Sequence, residues 1–180
     1  MKKITTILSI LFVAVLLTSC KNDTSLQQYL VDSQDKTGFI TVDVPTSFLQ
    51  LRSNDVSDDV KETLKSIRKI NLVALPIKGN EAAFETEKAT LNKLFKGNSD
   101  YKSLMSMKSK GIKVNLYYTG DSDSIDEVIA YGHGKDAGVG VARLLGENMN
   151  PGKIIEMMKN IKVDADNVGL KQFSAIFKGK

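Results

Sequence analysis

The 180-residue chain has one cysteine, one histidine and no tryptophan. A single cysteine cannot form an internal disulfide or a multi-cysteine zinc cluster, and a single histidine cannot supply a two-histidine metal motif. One histidine also leaves little room for a histidine-based catalytic relay. These absences exclude most metal and nucleophile chemistry, and no cofactor is predicted.

What remains is an ordinary globular composition, 42% hydrophobic and 26% charged. This composition argues against a disordered, collagen-like or disulfide-stapled protein. The length predicts one domain, with at most an appendage.

The first twenty residues, MKKITTILSILFVAVLLTSC, have the pattern of a secretory signal. Lys2 and Lys3 precede an apolar run over residues 7–17. This run is too short for the roughly 20 residues that a membrane-spanning helix needs. We therefore predict a signal peptide over residues 1–19.

The end of this segment resembles the bacterial lipobox, in which an apolar residue and two small residues precede a cysteine. Here the residues are Leu17, Thr18, Ser19 and Cys20. The resemblance implies that the Cys20 sulfur is diacylated and that two or three acyl chains then anchor the protein, since each buried CH₂ contributes about 0.8 kcal/mol. An ordinary secretory signal with Cys20 as a free thiol is the alternative. Lys21 rather than aspartate follows the cysteine, so we expect the outer membrane of the cell envelope.

Signal cleavage changes the charge of the working protein. Loss of Lys2 and Lys3 leaves 23 basic and 21 acidic residues, so the net charge falls from +4 to +2. No zinc finger or RNP-like aromatic strand is present, and no nucleic-acid partner is predicted.

Hydrophobic periodicity divides the mature chain into a tether and a domain. Residues 20–37 are polar and predict a flexible, lipid-anchored tether, with one docked helical turn as the alternative. Residues 38–180 predict a single domain. Predicted strands are 40–44, 70–77, 112–118, 125–132 and 138–145, the last three forming an antiparallel meander. Predicted helices are 56–67, 81–96, 168–177 and one opening at Pro151, with short helices after Pro45 and over 101–107.

The predicted fold class is α+β, because strands and helices are partly segregated along the chain. We expect a mostly antiparallel sheet of about five strands, with helices packed mainly on one face. In the helix from Pro151, the residues expected to point inward are Ile154, Ile155, Met158 and Ile161.

Several stretches resemble the family called domain of unknown function 4252, small lipoproteins of Gram-negative bacteria. They are YKSLMSM from Tyr101, VNLYY from Val114, DEVI from Asp126 and VARLLGENMNPGKII from Val141. The resemblance covers nearly all of the mature chain and implies a lipoprotein with one such domain. It implies no catalytic or ligand-binding residues.

Other local patterns have competing interpretations. Gly132 to Ala137 matches a loose G-x-G-x-x-A, but a strand pattern follows, which favours a hairpin over a dinucleotide site. The stretch 121–127 is acidic, but the positions where a calcium loop needs an oxygen ligand, a glycine and a glutamate hold Ile125, Asp126 and Gly132. His133 is expected to be an exposed loop residue, and Glu81, Glu85 and Glu87 are expected to face solvent.

Positive charge is concentrated between residues 88 and 113, with seven lysines against Asp100 alone. A solvated surface is one interpretation. The other is that Lys93, Lys96, Lys102 and Lys108 contact anionic headgroups, where each lysine could add about 1 kcal/mol.

These observations favour a non-enzymatic, lipid-anchored envelope protein that binds a protein or small-ligand partner. One alternative is an enzyme that uses serine, aspartate, lysine or tyrosine in a deep pocket. Another is a small-ligand carrier or sensor, which would need a sizeable apolar cavity.

Overall fold

The computed structural model describes residues 25–51, 56–163, 171–172 and 175–176. Within these residues the helices are α1 (Leu26–Asp32), a 3₁₀ turn (Thr46–Phe48), α2 (Asp58–Ser66), α3 (Glu81–Phe95) and α4 (Pro151–Asn160). The strands are β1 (Ile40–Val44), β2 (Leu49–Leu51), β3 (Ile67–Pro76), β4 (Lys102–Ser109), β5 (Ile112–Gly120), β6 (Ile125–Gly134), β7 (Gly138–Met149) and β8 (Ile161–Val163).

Six of the strands form one antiparallel sheet in the order β1-β3-β7-β6-β5-β4. β2 and β8 pair separately. The predicted α+β class and the antiparallel meander are confirmed, and the main sheet has six strands instead of about five. The additional strand is β4, which covers a segment expected to be helical.

Helices pack on both faces of this sheet. On the first face, α1 and α3 cover Val73, Ile129, Tyr131 and Val141. On the second face, α2 and α4 pack against one end of the sheet, which includes Val128. Two of these four helices thus lie on each face, whereas most helices were expected on one face. None of the four covers the other end of the second face.

The two ends of the sheet are distinguished by their turns. The proximal end contains the turn 121–124 and lies near the start of α1, where Gln27 contacts Arg143. The distal end contains the turns 110–111 and 135–137. At the first of these, Lys110 and Gly111 both have positive φ, 48° and 78°. Two such residues are typical of a tight hairpin turn, and this turn fixes the register of β4 on β5.

The predicted tether requires a correction for its described part. Ser25 caps α1 by accepting a hydrogen bond from the Gln28 amide at 3.1 Å. Leu26, Tyr29 and Leu30 are buried in the core under the first face. The packed domain therefore includes Leu26 to Leu30, which lie upstream of residue 38, because three apolar side chains four or fewer residues apart share one helix face.

Other local predictions have mixed outcomes. The segment after Pro45 forms a 3₁₀ turn and then β2. α4 begins where predicted, with Asn150 accepting hydrogen bonds from the Gly152 and Lys153 amides. Its buried residues are Ile154 and Met157, whereas Met158 is 46% exposed, so the expected inward position of Met158 is wrong. Within the predicted helix 168–177 the structure describes residues 171–172 and 175–176, and these are helical.

Candidate functional site

The distal half of the second face carries an apolar groove. Its floor is formed by Ala130, Gly132, Gly140 and Ala142, and its side by Met107, Ile112 and Val114. Ser109 and Lys110 complete the described lining at the hairpin turn. The groove encloses about 360 Å³, which is within the usual size range of small-molecule sites.

The groove exists because two neighbouring strands have small residues at opposite positions. Ala130 lies opposite Ala142, and Gly132 lies opposite Gly140. Directly opposite residues of an antiparallel pair point to the same face, so two adjacent rows have almost no side-chain volume. Larger residues, such as Val114 opposite Gly132, flank this strip. Glycine inside a strand weakens the strand and often marks the close approach of a ligand or another backbone.

A second and larger cavity adjoins the groove at the distal end. It encloses about 930 Å³ and shares Lys110 and Ile112 with the groove. Its other walls include Ile40, Ile77 and Ile176. The charged groups at its margin are Lys78, Lys110 and Asp136. The distal half of the second face is therefore an apolar depression with an excess of positive charge at its edge.

The first face has a buried ion pair that the sequence analysis did not identify. The Arg143 Nε–H donates to Glu127 Oε1, and the two side chains are only 13% and 10% exposed. Arg143 also donates to Gln27 Oε1 at the start of α1. The pair therefore joins β6, β7 and α1, and it lies outside both cavities.

A second buried polar cluster lies beneath α3. The Lys36 ammonium is 3.0 Å from Glu87 Oε1, and the Glu87 side chain is 12% exposed. Burial and the nearby Glu87 carboxylate raise the pKa of Tyr29 well above its usual range, so Tyr29 stays neutral. The expected solvent-facing position of Glu87 is therefore wrong, whereas Glu81 and Glu85 are exposed as expected.

The four lysines proposed to contact headgroups do not share one surface. Lys93 and Lys96 lie at the end of α3, on the first-face side. Lys102 lies opposite Tyr118, and its ammonium donates to the Gly120 carbonyl at 2.7 Å. Lys108 lies opposite Lys113, six residues and about 20 Å further along β4. Leu17, Thr18, Ser19 and Cys20 lie outside the described residues.

The glycine-rich segment and the acidic segment are both hairpins. Gly132 to Gly134 end β6, and the next element is strand β7, so no helix N-terminus is present to hold a pyrophosphate. Asp121 and Ser124 close the acidic turn through two backbone hydrogen bonds, 3.2 and 3.3 Å long. Across the described residues, no group of three or more His, Cys, Asp or Glu side chains could hold a metal.

His133 is not a fully exposed loop residue. It is half-buried at the end of β6, and its ring lies 5.5 Å from the Tyr131 ring. Burial, Lys88 and Lys113 lower the pKa of His133, and Glu85 acts in the opposite direction. The imidazole is therefore neutral at pH 7.

Comparison with known protein families gives one match. The family described as a domain of unknown function, DUF4252, matches residues 29–157, which is well over half of the chain. No curated protein and no solved structure is significantly similar to the chain. Among the described residues, no helix is both long and apolar enough to span a bilayer.

Proposed function

This chain belongs to the DUF4252 family, and from that premise we propose that it is a lipid-anchored cell-envelope protein whose domain binds a slender apolar ligand. The anchor is Cys20 of the lipobox Leu17-Thr18-Ser19-Cys20. Lys21 after the anchor favours the outer membrane. The domain acts by binding rather than by catalysis.

The observation that carries the binding proposal is the groove with the small-residue floor. Ala130, Gly132, Gly140 and Ala142 leave apolar space on this face of the sheet. A single acyl chain fits such a strip, because it needs width and apolar contact but few hydrogen bonds. Lys78 and Lys110 at the edge of the adjoining cavity suit an anionic head on the same molecule.

The alternative of an enzyme has weaker support. A catalytic pocket is expected to contain a buried, reactive acid or base with a shifted pKa. The only polar groups in the described lining of the groove are Ser109 and Lys110, and both are exposed. The buried carboxylates Glu87 and Glu127 are engaged in ion pairs away from both cavities.

Ligand binding can be tested with N-phenyl-1-naphthylamine, an apolar dye that fluoresces when it leaves water. We expect saturable binding to the mature protein and loss of binding in Ala130→Phe, which fills the floor of the groove. Ala82→Phe is the matched control, because Ala82 is exposed on α3. Unchanged dye binding by Ala130→Phe would exclude this groove as the site. No dye binding by the unaltered protein would favour a protein partner instead.

Catalysis and anchoring are tested separately. Mass spectrometry of the mature N-terminal peptide should find acyl chains on Cys20, and Cys20→Ser should release the protein from the membrane fraction. An unmodified Cys20 would leave a secreted protein with a free thiol. Substrate turnover in a broad hydrolase screen, abolished by one point substitution, would overturn the non-catalytic assignment.

A further inference from the structure

A row of two lysines and a histidine crosses the first face at its distal end. Lys108 of β4 lies directly opposite Lys113 of β5, and Lys113 lies directly opposite His133 of β6. Directly opposite side chains point to the same face, with Cβ atoms about 5 Å apart. The register therefore places two lysine side chains and an imidazole in adjacent positions on one face.

Helix α3 forms a wall beside this row. The Tyr131 hydroxyl holds α3 on the sheet through the Lys88 carbonyl at 3.3 Å and Asn92 Oδ1 at 3.2 Å. The Lys88 backbone therefore lies beside Tyr131, and the Lys88 charge is one of those that lower the pKa of His133. Next to the row, Ser106 donates to Asn115 Oδ1 at 2.8 Å. We call the surface formed by Lys88, Lys108, Lys113 and His133 the cationic shelf.

The charges of the shelf are unevenly neutralised, because Glu85 acts on Lys88, His133 and the neighbouring Lys135. Lys88 pairs with Glu85 at 2.8 Å. Lys108 and Lys113 are exposed, and within the described part of the chain neither has an ion-pair partner. Lys135 in the adjacent turn is likewise exposed. Like charges at directly opposite positions destabilise a sheet, so an anion between them would relieve an unfavourable arrangement.

We propose that the cationic shelf binds a phosphate-bearing anion. A phosphate group carries close to two negative charges and several acceptor oxygens in a small volume, which matches two closely spaced ammonium groups better than a single carboxylate does. The phosphate can belong to a soluble metabolite or to a lipid headgroup, since both present the same chemistry. The site lies on the face opposite the apolar groove, so the proposal does not depend on ligand binding there.

The single histidine of the chain reports directly on the shelf. The experiment follows the His133 ring protons by NMR in the mature chain carrying Cys20→Ser, which cannot be acylated. Inorganic pyrophosphate is added at constant ionic strength, with chloride as the control. We expect a saturable shift of the His133 signal and a rise in the His133 pKa, because a bound anion stabilises the imidazolium.

Two double variants separate a specific site from general attraction. Lys108→Gln with Lys113→Gln should weaken pyrophosphate binding at least about tenfold, because charge-assisted contacts are lost. Lys93→Gln with Lys96→Gln removes the same charge from the far end of α3 and should leave binding unchanged. Equal weakening in both double variants, or a His133 signal that pyrophosphate does not move, would overturn the proposal.

Vesicles of phosphatidylcholine with phosphatidylglycerol identify the source of the phosphate. Cosedimentation that depends on Lys108 and Lys113 supports a lipid headgroup. Pyrophosphate binding without cosedimentation supports a soluble ligand. Absence of both kinds of binding would refute the site.

Discussion

Neutralising one member of the buried Glu127–Arg143 pair should be among the most damaging polar substitutions in this protein. Glu127→Gln keeps the size of the side chain but leaves the Arg143 guanidinium, 13% exposed, without its carboxylate. A charge left unpaired in such a site costs about 3–5 kcal/mol. For a domain of this size that loss corresponds to a fall in Tm of roughly 6–20 °C.

The matched control is an exposed pair of the same two residue types. Arg68 and Glu147 form an ion pair at the surface, with side chains 64% and 56% exposed. Solvent screens such a pair, so Glu147→Gln should change the free energy of unfolding by at most about 1 kcal/mol. Urea denaturation of both variants gives the two values on one scale.

A double substitution separates the charge effect from lost packing. Glu127→Leu with Arg143→Met removes both charges and keeps apolar volume, so it should be clearly more stable than Glu127→Gln. A Glu127→Gln variant that loses no more stability than Glu147→Gln would refute the assignment of a buried pair. A double variant as unstable as Glu127→Gln would show that the charges are not the cause.

Three further predictions concern stability. Gly138→Ala should lower the free energy of unfolding, measured by urea denaturation, by at least about 2–3 kcal/mol, because φ is +130° and an added Cβ would lie 2.2 Å from the Leu75 carbonyl oxygen. Gly111→Ala should lower it by less, because a Cβ added there meets nothing within 4 Å. Leu26→Ala should lower the free energy of unfolding by about 2–5 kcal/mol. Val31→Ala should lower it by under about 0.5 kcal/mol, because Val31 is 46% exposed. Equal effects of the two substitutions would contradict the docking of α1. The pKa of His133 is lower in the folded state than in the unfolded state. The neutral imidazole therefore makes its full contribution to the free energy of unfolding above the unfolded-state pKa of about 6.5, and this contribution is lost as the pH falls below that value. His133→Gln should therefore flatten the decline in unfolding free energy between pH 7.5 and 5.5, and an unchanged slope would contradict this.

The parts of the fold that follow local pattern were predictable. Alternation at Ile40, Val42 and Val44 and the apolar run in β3 gave two strands close to their observed limits. Pro151 after Asn150 marked the start of α4. In each case the determining signal lies within a few residues of the element.

The wrong predictions concern residues whose structural partners are distant in the sequence. YKSLMSM around β4 contains leucine and methionine, which favour helices, and no clear alternation. Its strand state depends on the Lys110–Gly111 turn and on pairing with β5. Glu87 shares the buried side of α3 with Phe84 and Leu91, but its burial is tolerated because Lys36, 51 residues away, neutralises it. No local pattern contains that partner.

The candidate sites were less accessible to sequence analysis than the fold. The groove depends on which residues lie opposite one another, namely Ala130 with Ala142 and Gly132 with Gly140. Glycine at 132 and 140 is visible in the sequence, but it indicated a flexible hairpin rather than the floor of a groove. The cationic shelf likewise combines Lys108 and Lys113 with His133, which only the register brings together.

The sites also have a defined relation to the proposed anchor. Ser25 is five residues from Cys20, and five residues span at most about 18 Å. Gln27 of α1 contacts Arg143, which lies opposite Ile129, and His133 of the cationic shelf lies four residues, or about 13 Å, further along β6. Electrostatic attraction in physiological salt is screened beyond about 8 Å. If Cys20 carries the lipid, Lys102, which lies opposite Tyr118, is closer along the sheet to the start of α1 than Lys108 and Lys113 are.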